Sequence, residues 1–221
     1  MEENWLNDEY VRYYNTNYAT PSQEYAPYLE LLELGPQDAL LDLGCGAGEF
    51  LTYAAPKVAR VHGIDLSPLQ ISLASEKCSA LATPWELTCT SFEKFQAPAQ
   101  SFTKGFSRKA LHHLADPQKL ELCLNLGPAF RSGALLYIED GIFFNFERSQ
   151  LDDHWEELWA DAARYYGESW ESKRQDLYNS FRREHPCGLG YWKECLQRGG
   201  FQLLKTYPRS SFYGGILARK V

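Results

Sequence analysis

Three groups of residues in this sequence have types and spacings that could do chemistry. The first is residues 40–50, LLDLGCGAGEF, where Gly44, Gly46 and Gly48 alternate behind an apolar run that carries Asp42. Glycine has no Cβ, so such a turn lets backbone N–H groups approach a ligand as the next helix begins. A plain strand-to-helix turn is the bland reading, and three glycines behind LLDLG favour the ligand cradle. The second group is Asp65, near the end of residues 58–68, VARVHGIDLSP. A carboxylate at the tip of a second strand can accept both hydroxyls of a ribose. The third comprises His112 and His113 in ALHHL and the pair Glu139-Asp140. An imidazole titrates near neutrality, and a carboxylate can orient or deprotonate a nucleophile. His112, Glu139 and Asp140 are therefore the candidate catalytic residues.

What is missing narrows the ligand. A dinucleotide fingerprint would continue to a further glycine or alanine at position 49, which is Glu49 here, and no Gly-Lys-Ser/Thr ending makes a P-loop. Adjacent histidines do not face the same way, and no third ligand sits at a coordinating spacing, so no metal is expected. The six cysteines show no C-x-x-C and no zinc spacing, which suits reduced thiols and a cytoplasmic location.

At LDLGCGAG, GIDLSP and ALHHL the chain resembles the class I S-adenosylmethionine-dependent methyltransferases, as far as about the fifth strand. The resemblance implies S-adenosyl-L-methionine as cofactor, held by Asp42, Gly44, Cys45, Gly46 and Gly48 on the turn and by Asp65 and Leu66 at the ribose. It places Ser91 and Phe92 at the adenine, with Ser91 where the family usually has Asp. It also places Ser107 and Arg108 at the end of the fourth strand, whose start reads Phe102-Thr103 in place of Phe-Asp. Two readings of Arg108 stand: a solvated loop cation, or a partner for the methionine carboxylate or an anionic substrate. Methyl transfer to a small-molecule acceptor is the expected reaction. The alternatives are transfer of another group from a derivative of the same cofactor, or a regulatory module that binds it without turnover. Tyr14, Tyr18, Trp155 and Tyr213 are the expected substrate contacts.

The elements that must position these groups follow from pattern. Leu40, Leu41 and Leu43 read as the end of a buried parallel strand. Further strands are expected over residues 85–90, 101–108 and 134–139, with a closing antiparallel pair over 201–206 and 212–219. Helices are expected over 26–34, 49–55, 67–80, 116–126 and 191–198, the third capped by Ser67 with Pro68 at its first position. The fold class is thus α/β, a doubly wound, mostly parallel seven-stranded sheet with helices on both faces, an antiparallel last strand and a helical insertion after strand five. One domain is expected over 1–221, with a helical cap over 1–34 and the insertion over 141–190. Tyr10, Tyr13, Tyr14 and Tyr18 recur at near-helical spacing, as a docked helix or as a lid over the cofactor. The insertion reads as two aromatic-studded helices, 153–166 and 171–184.

Composition agrees. With 221 residues, 44% hydrophobic and 23% charged, the chain has ordinary globular make-up and length for one core. A net charge of −7 argues against nucleic acid as a general partner. Residues 1–10 carry acids and no positive segment, and no apolar run is long enough for a bilayer, so neither a signal peptide nor a membrane partner is expected. A monomer or homodimer is expected.

Overall fold

β1 (Ala39–Leu43) is buried along its whole length, because strands pair on both of its edges and helices cover both faces. Its side chains alternate: Leu41 and Leu43 enter one core and Leu40 the other. The computed structural model describes residues 4–18 and 20–221. β2 (Arg60–Asp65) and β3 (Trp85–Cys89) continue the sheet on one side of β1, and β4 (Phe102–Arg108) and β5 (Phe130–Phe143) on the other, all parallel. β8 (Tyr213–Lys220) and β7 (Phe201–Pro208) close it antiparallel, giving the order β3-β2-β1-β4-β5-β8-β7. Strand order reverses beside β1, and a crevice opens there at the carboxyl ends of the strands.

Among the described residues the sheet has eight strands rather than the expected seven. The addition is β6 (Cys187–Gly188), which pairs parallel with Ile142 and Phe143 and is too short to leave a periodic signal. β5 also runs from Phe130 to Phe143, well beyond the expected 134–139, because β8 and β6 support its end.

α2 (Ala26–Leu31), α3 (Glu49–Ala54) and α4 (Pro68–Cys78) lie on one face of the sheet, where Tyr28, Phe50, Leu51 and Cys78 pack with Leu40, Phe106 and Tyr137. α5 (Asp116–Leu126) and α8 (Leu189–Arg198) cover the other, with Leu122, Leu126, Trp192 and Leu196 against Leu41, Leu136 and Ile138. The insertion carries its own apolar cluster. α6 (Trp155–Tyr166) and α7 (Trp170–Arg183) enclose Leu158, Ala162, Leu177 and Phe181 with Phe143 and Phe212. α1 (Asp8–Tyr18) buries Val11 and reaches two elements. Asn15 and Gln70 of α4 exchange amide bonds at 2.9 Å, and the Tyr18 hydroxyl donates to Asp176 of α7. Among the described residues no helix is long and apolar enough to cross a membrane.

Candidate functional site

The glycine turn hangs on β2. The amides of Gly44 and Cys45 both donate to the Ile64 carbonyl at 2.9 Å. Gly44 and Gly46 take positive φ, +75° and +53°, a region that disfavours any residue with a Cβ. They differ in what surrounds them. A Cβ at Gly44 would stand 2.4 Å from the Ala110 Cβ, whereas one at Gly46 would meet only the Gln70 Nε2, at 3.8 Å. Gly44 thus packs the turn against the end of β4, and Gly46 faces open space.

Asp65 ties the turn to the next helix. Its Oδ2 accepts the Gly46 N–H and its Oδ1 the Ser67 N–H, each at 2.9 Å. Ser67 in turn caps α4, accepting the Gln70 N–H at 3.3 Å, as the Ser-Pro pattern predicts. Burial pushes the Asp65 carboxyl up, against the pull of the amides of Ser67, Gly46 and Leu66.

Two adjoining cavities meet over this turn and share Tyr14, Gly44, Gly46, Gln70, Arg108 and Lys109. The larger, about 310 Å³, is also bordered by Asp65, Leu66, Ser91, Phe92, Trp5 and His113. The smaller, about 100 Å³, adds Asp42, Cys45, Tyr18, Tyr25 and Glu49. Burial drives the Asp42 carboxyl well above its usual range, and the charges of Asp65 and Glu49 push the same way. Two carboxyls that are disfavoured as anions, beside a backbone cradle that a Cβ would fill, suit a ligand bringing positive charge. An amino-acid sulfonium joined to a nucleoside suits that donor set.

Most of the expected cofactor residues border these cavities, and so do Tyr14 and Tyr18. Gly48, Ser107, His112, Glu139, Asp140, Trp155 and Tyr213 line neither cavity. Gly48 opens α3 with its backbone against Ala74, and Ser107 is consumed by a 2.9 Å bond to the Leu43 carbonyl. Trp155 belongs to the insertion, stacked on Trp159 and covered by Arg182.

Glu139 is a correction of substance. It is fully buried, and its oxygens accept from the hydroxyls of Tyr28 (2.9 Å), Tyr137 (3.2 Å) and Tyr213 (2.7 Å), and from Arg108 (3.1 Å) and Arg209 (2.9 Å). Burial alone would raise its carboxyl, but the Tyr213 bond and the two guanidinium charges outweigh it and hold it low. A carboxylate so saturated cannot serve as a base; it anchors Arg108. Arg108 faces both cavities, yet its charge is paired with Glu139 and, at 3.3 Å, with Glu24, and it also donates to Thr20.

Asp140 is likewise buried. Its Oδ2 accepts the amides of Leu111 (2.8 Å) and His112 (3.1 Å), and its Oδ1 stands 2.5 Å from the His112 Nδ1. Burial is again outweighed, here by the His112 charge and bond and by the amides, so its carboxyl is held low. It thereby ties the His112 ring and the 111–113 turn to the end of β5.

Lys109, Gln70 and His113 border the larger cavity without having been expected there. Lys109 had a signal in its position beside Arg108, and it adopts φ +54°, an uncommon conformation for a residue with a side chain. Gln70 had none, since its place depends on how α4 lies across the turn.

Residues 40–132 match the family described as a methyltransferase domain. Among curated proteins, phosphoethanolamine N-methyltransferase 1 of Arabidopsis thaliana is 34% identical over 94 residues, which are 42% of this chain and 19% of that one. The matched curated relatives are much longer, the alignments spanning between 19% and 30% of them. Among solved structures, a geranyl diphosphate C-methyltransferase from Streptomyces coelicolor, in complex with S-adenosyl-L-homocysteine, has a TM-score of 0.68 at 14% identity, covering 97% of this chain and 83% of that one. A SAM-dependent methyltransferase from Aquifex aeolicus has a TM-score of 0.66 at 17% identity, over 97% and 99%.

Proposed function

We propose that this chain, which carries a class I S-adenosylmethionine-dependent methyltransferase domain, transfers a methyl group from S-adenosyl-L-methionine to a small-molecule acceptor. The observation that carries the reading is the pair of joined cavities over Gly46, with Asp65 at one end and Asp42 at the other.

The cofactor supplies a methyl already activated on a sulfonium, so the protein's work is mostly holding and drying. Asp65 keeps acceptor capacity on both oxygens for a ribose, since each already accepts a single amide. Asp42 balances the positive charge of the amino-acid end. Tyr14 and Tyr18 of α1 border the smaller cavity, which supports a compact acceptor rather than a polymer. The net charge of −7 also disfavours nucleic acid. Well-oriented approach alone is worth about 7–11 kcal/mol, so a strong base is needed only for an acceptor that must lose a proton. His112 lies just outside the cavities, with Nδ1 on Asp140 and Nε2 facing Glu184, so the reading assigns it no proton transfer.

Calorimetry and thermal melts test the cofactor reading. S-adenosylhomocysteine at about 100 times its dissociation constant should add about 2.7 kcal/mol of stability, and NAD should add none. Stabilisation by NAD alone would reverse the reading. Methyl transfer from labelled cofactor across a panel of small amines, alcohols and phosphate esters tests the acceptor class.

A further inference from the structure

We propose that His112, His113 and Glu184 form a binding site for one first-row divalent cation, zinc being the type, at the edge of the larger cavity. The sequence argument against a metal rested on spacing along the chain, and the fold supplies the third ligand from the end of α7. Residues 111–113 form a single 3-10 turn after β4, and the His185 amide donates to the His112 carbonyl at 2.7 Å, pinning the end of α7 onto that turn. The two imidazole rings lie 4.0 Å apart, centre to centre. One ligand atom from each of the three residues falls within 4.8 Å of the others.

The surroundings are those of a built metal site. His112 presents its Nδ1 to the buried Asp140 carboxylate at 2.5 Å and its Nε2 to the Glu184 Oε2 at 3.3 Å. A carboxylate behind one ring nitrogen fixes the tautomer and leaves the other nitrogen to coordinate, as at most protein metal sites. Two ligands of a tetrahedral zinc, each about 2.0–2.1 Å from the ion, stand about 3.3 Å apart. The Ser180 hydroxyl donates to the same Glu184 oxygen at 2.5 Å and so orients the carboxylate. Two imidazoles and one carboxylate suit a borderline divalent ion and leave a fourth position for an outside ligand. Of the three ligands His113 borders the larger cavity, the side from which an acceptor oxygen would approach that position. This last step rests on the methyl-transfer reading, whereas the metal site itself does not.

Cobalt(II) and zinc(II), added to chelator-treated protein, test the site. One equivalent of cobalt should give the visible absorption of a four-coordinate ion, and zinc should displace it. Glu184→Gln and His113→Ala should each weaken zinc at least tenfold, Asp140→Asn by about 10–100-fold, and His154→Ala not at all. The exposed Cys89 is the competing ligand. The proposal is overturned if binding is absent, if it is unchanged in Glu184→Gln, or if it is lost in Cys89→Ser. S-adenosylhomocysteine titrated into the metal-free protein reports on the cofactor reading by itself. Cofactor binding without metal binding would defeat only this inference, and metal binding without cofactor binding only the functional reading.

Discussion

The Asp65 carboxylate accepts the Gly46 amide at 2.9 Å, so one side chain both shapes the glycine turn and borders the larger cavity. Asp65→Ala should therefore act twice. It should weaken S-adenosylmethionine and S-adenosylhomocysteine alike by about 1.5–3 kcal/mol, the range for hydrogen bonds to a charged group. It should also lower the melting temperature without ligand, because the Gly46 and Ser67 amides lose their acceptor. Calorimetry with both ligands checks the first effect. A loss confined to one ligand would count against the ribose assignment.

Gly44 and Gly46 should respond differently to alanine. Both substitutions force a side chain into positive φ, at about 1–2 kcal/mol. Gly44→Ala also drives a methyl into Ala110, adding the about 1–3 kcal/mol of an overpacked core. Gly46→Ala should keep more stability yet bind S-adenosylhomocysteine at least tenfold more weakly, because its methyl enters the cavity. Urea titration beside calorimetry separates the two, and equal ligand loss at equal stability would refute the distinction.

Asp42 makes the site depend on pH. Its carboxyl is raised in the folded protein by burial first, then by Asp65 and Glu49. For an acid raised on folding, the unfolded chain releases its proton more readily, so stability falls as pH climbs past the unfolded value of about 3.9. Asp42→Asn should therefore raise the melting temperature of the ligand-free protein at neutral pH and flatten its fall with pH. On the proposed binding mode, the same substitution should weaken S-adenosylmethionine. Melts across a pH series without ligand would refute this if the variant were less stable than the wild type at neutral pH.

Glu139 works in the opposite sense. Its carboxyl is held low in the folded state, so its contribution is present above the unfolded value of about 4.3 and disappears as pH falls through the folded value. Glu139→Gln leaves Arg108 buried beside a neutral amide and should destabilise by about 3–5 kcal/mol. It should also remove part of the acid-side loss of stability. A variant that keeps full stability and loses only turnover would restore Glu139 as a catalytic base.

α1 and the insertion touch through Tyr18, whose hydroxyl donates to Asp176 and whose ring lies 4.2 Å from the Lys173 Nζ. Tyr14 and Tyr18 border the cavities from the same helix. If the two elements close over the ligand, S-adenosylhomocysteine should slow amide exchange over residues 8–18 and 155–183 as well as over 40–50. Deleting residues 1–18 should speed cofactor release. Protection limited to residues 40–70 and 90–115 would mean a docked helix and no lid.

The strand, the glycine turn and the capped helix after Asp65 were legible from residue order, because each is decided within a few residues of chain. A near-continuous apolar run sets β1, missing Cβ atoms set the turn, and Ser67-Pro68 starts α4 whatever lies elsewhere. The role of an ionisable side chain is decided differently, by which distant groups reach it. Glu139 and Asp140 are neighbours in sequence, but pleating sends one among three tyrosines and two arginines and the other to His112. Arg108 draws Glu24 and Thr20 from the chain's beginning, and His112 meets Glu184 only because the insertion folds back over the end of β5. Such pairings depend on the packing of long-separated segments, where a shift of a few ångströms exchanges one partner for another, and no spacing in the sequence records them.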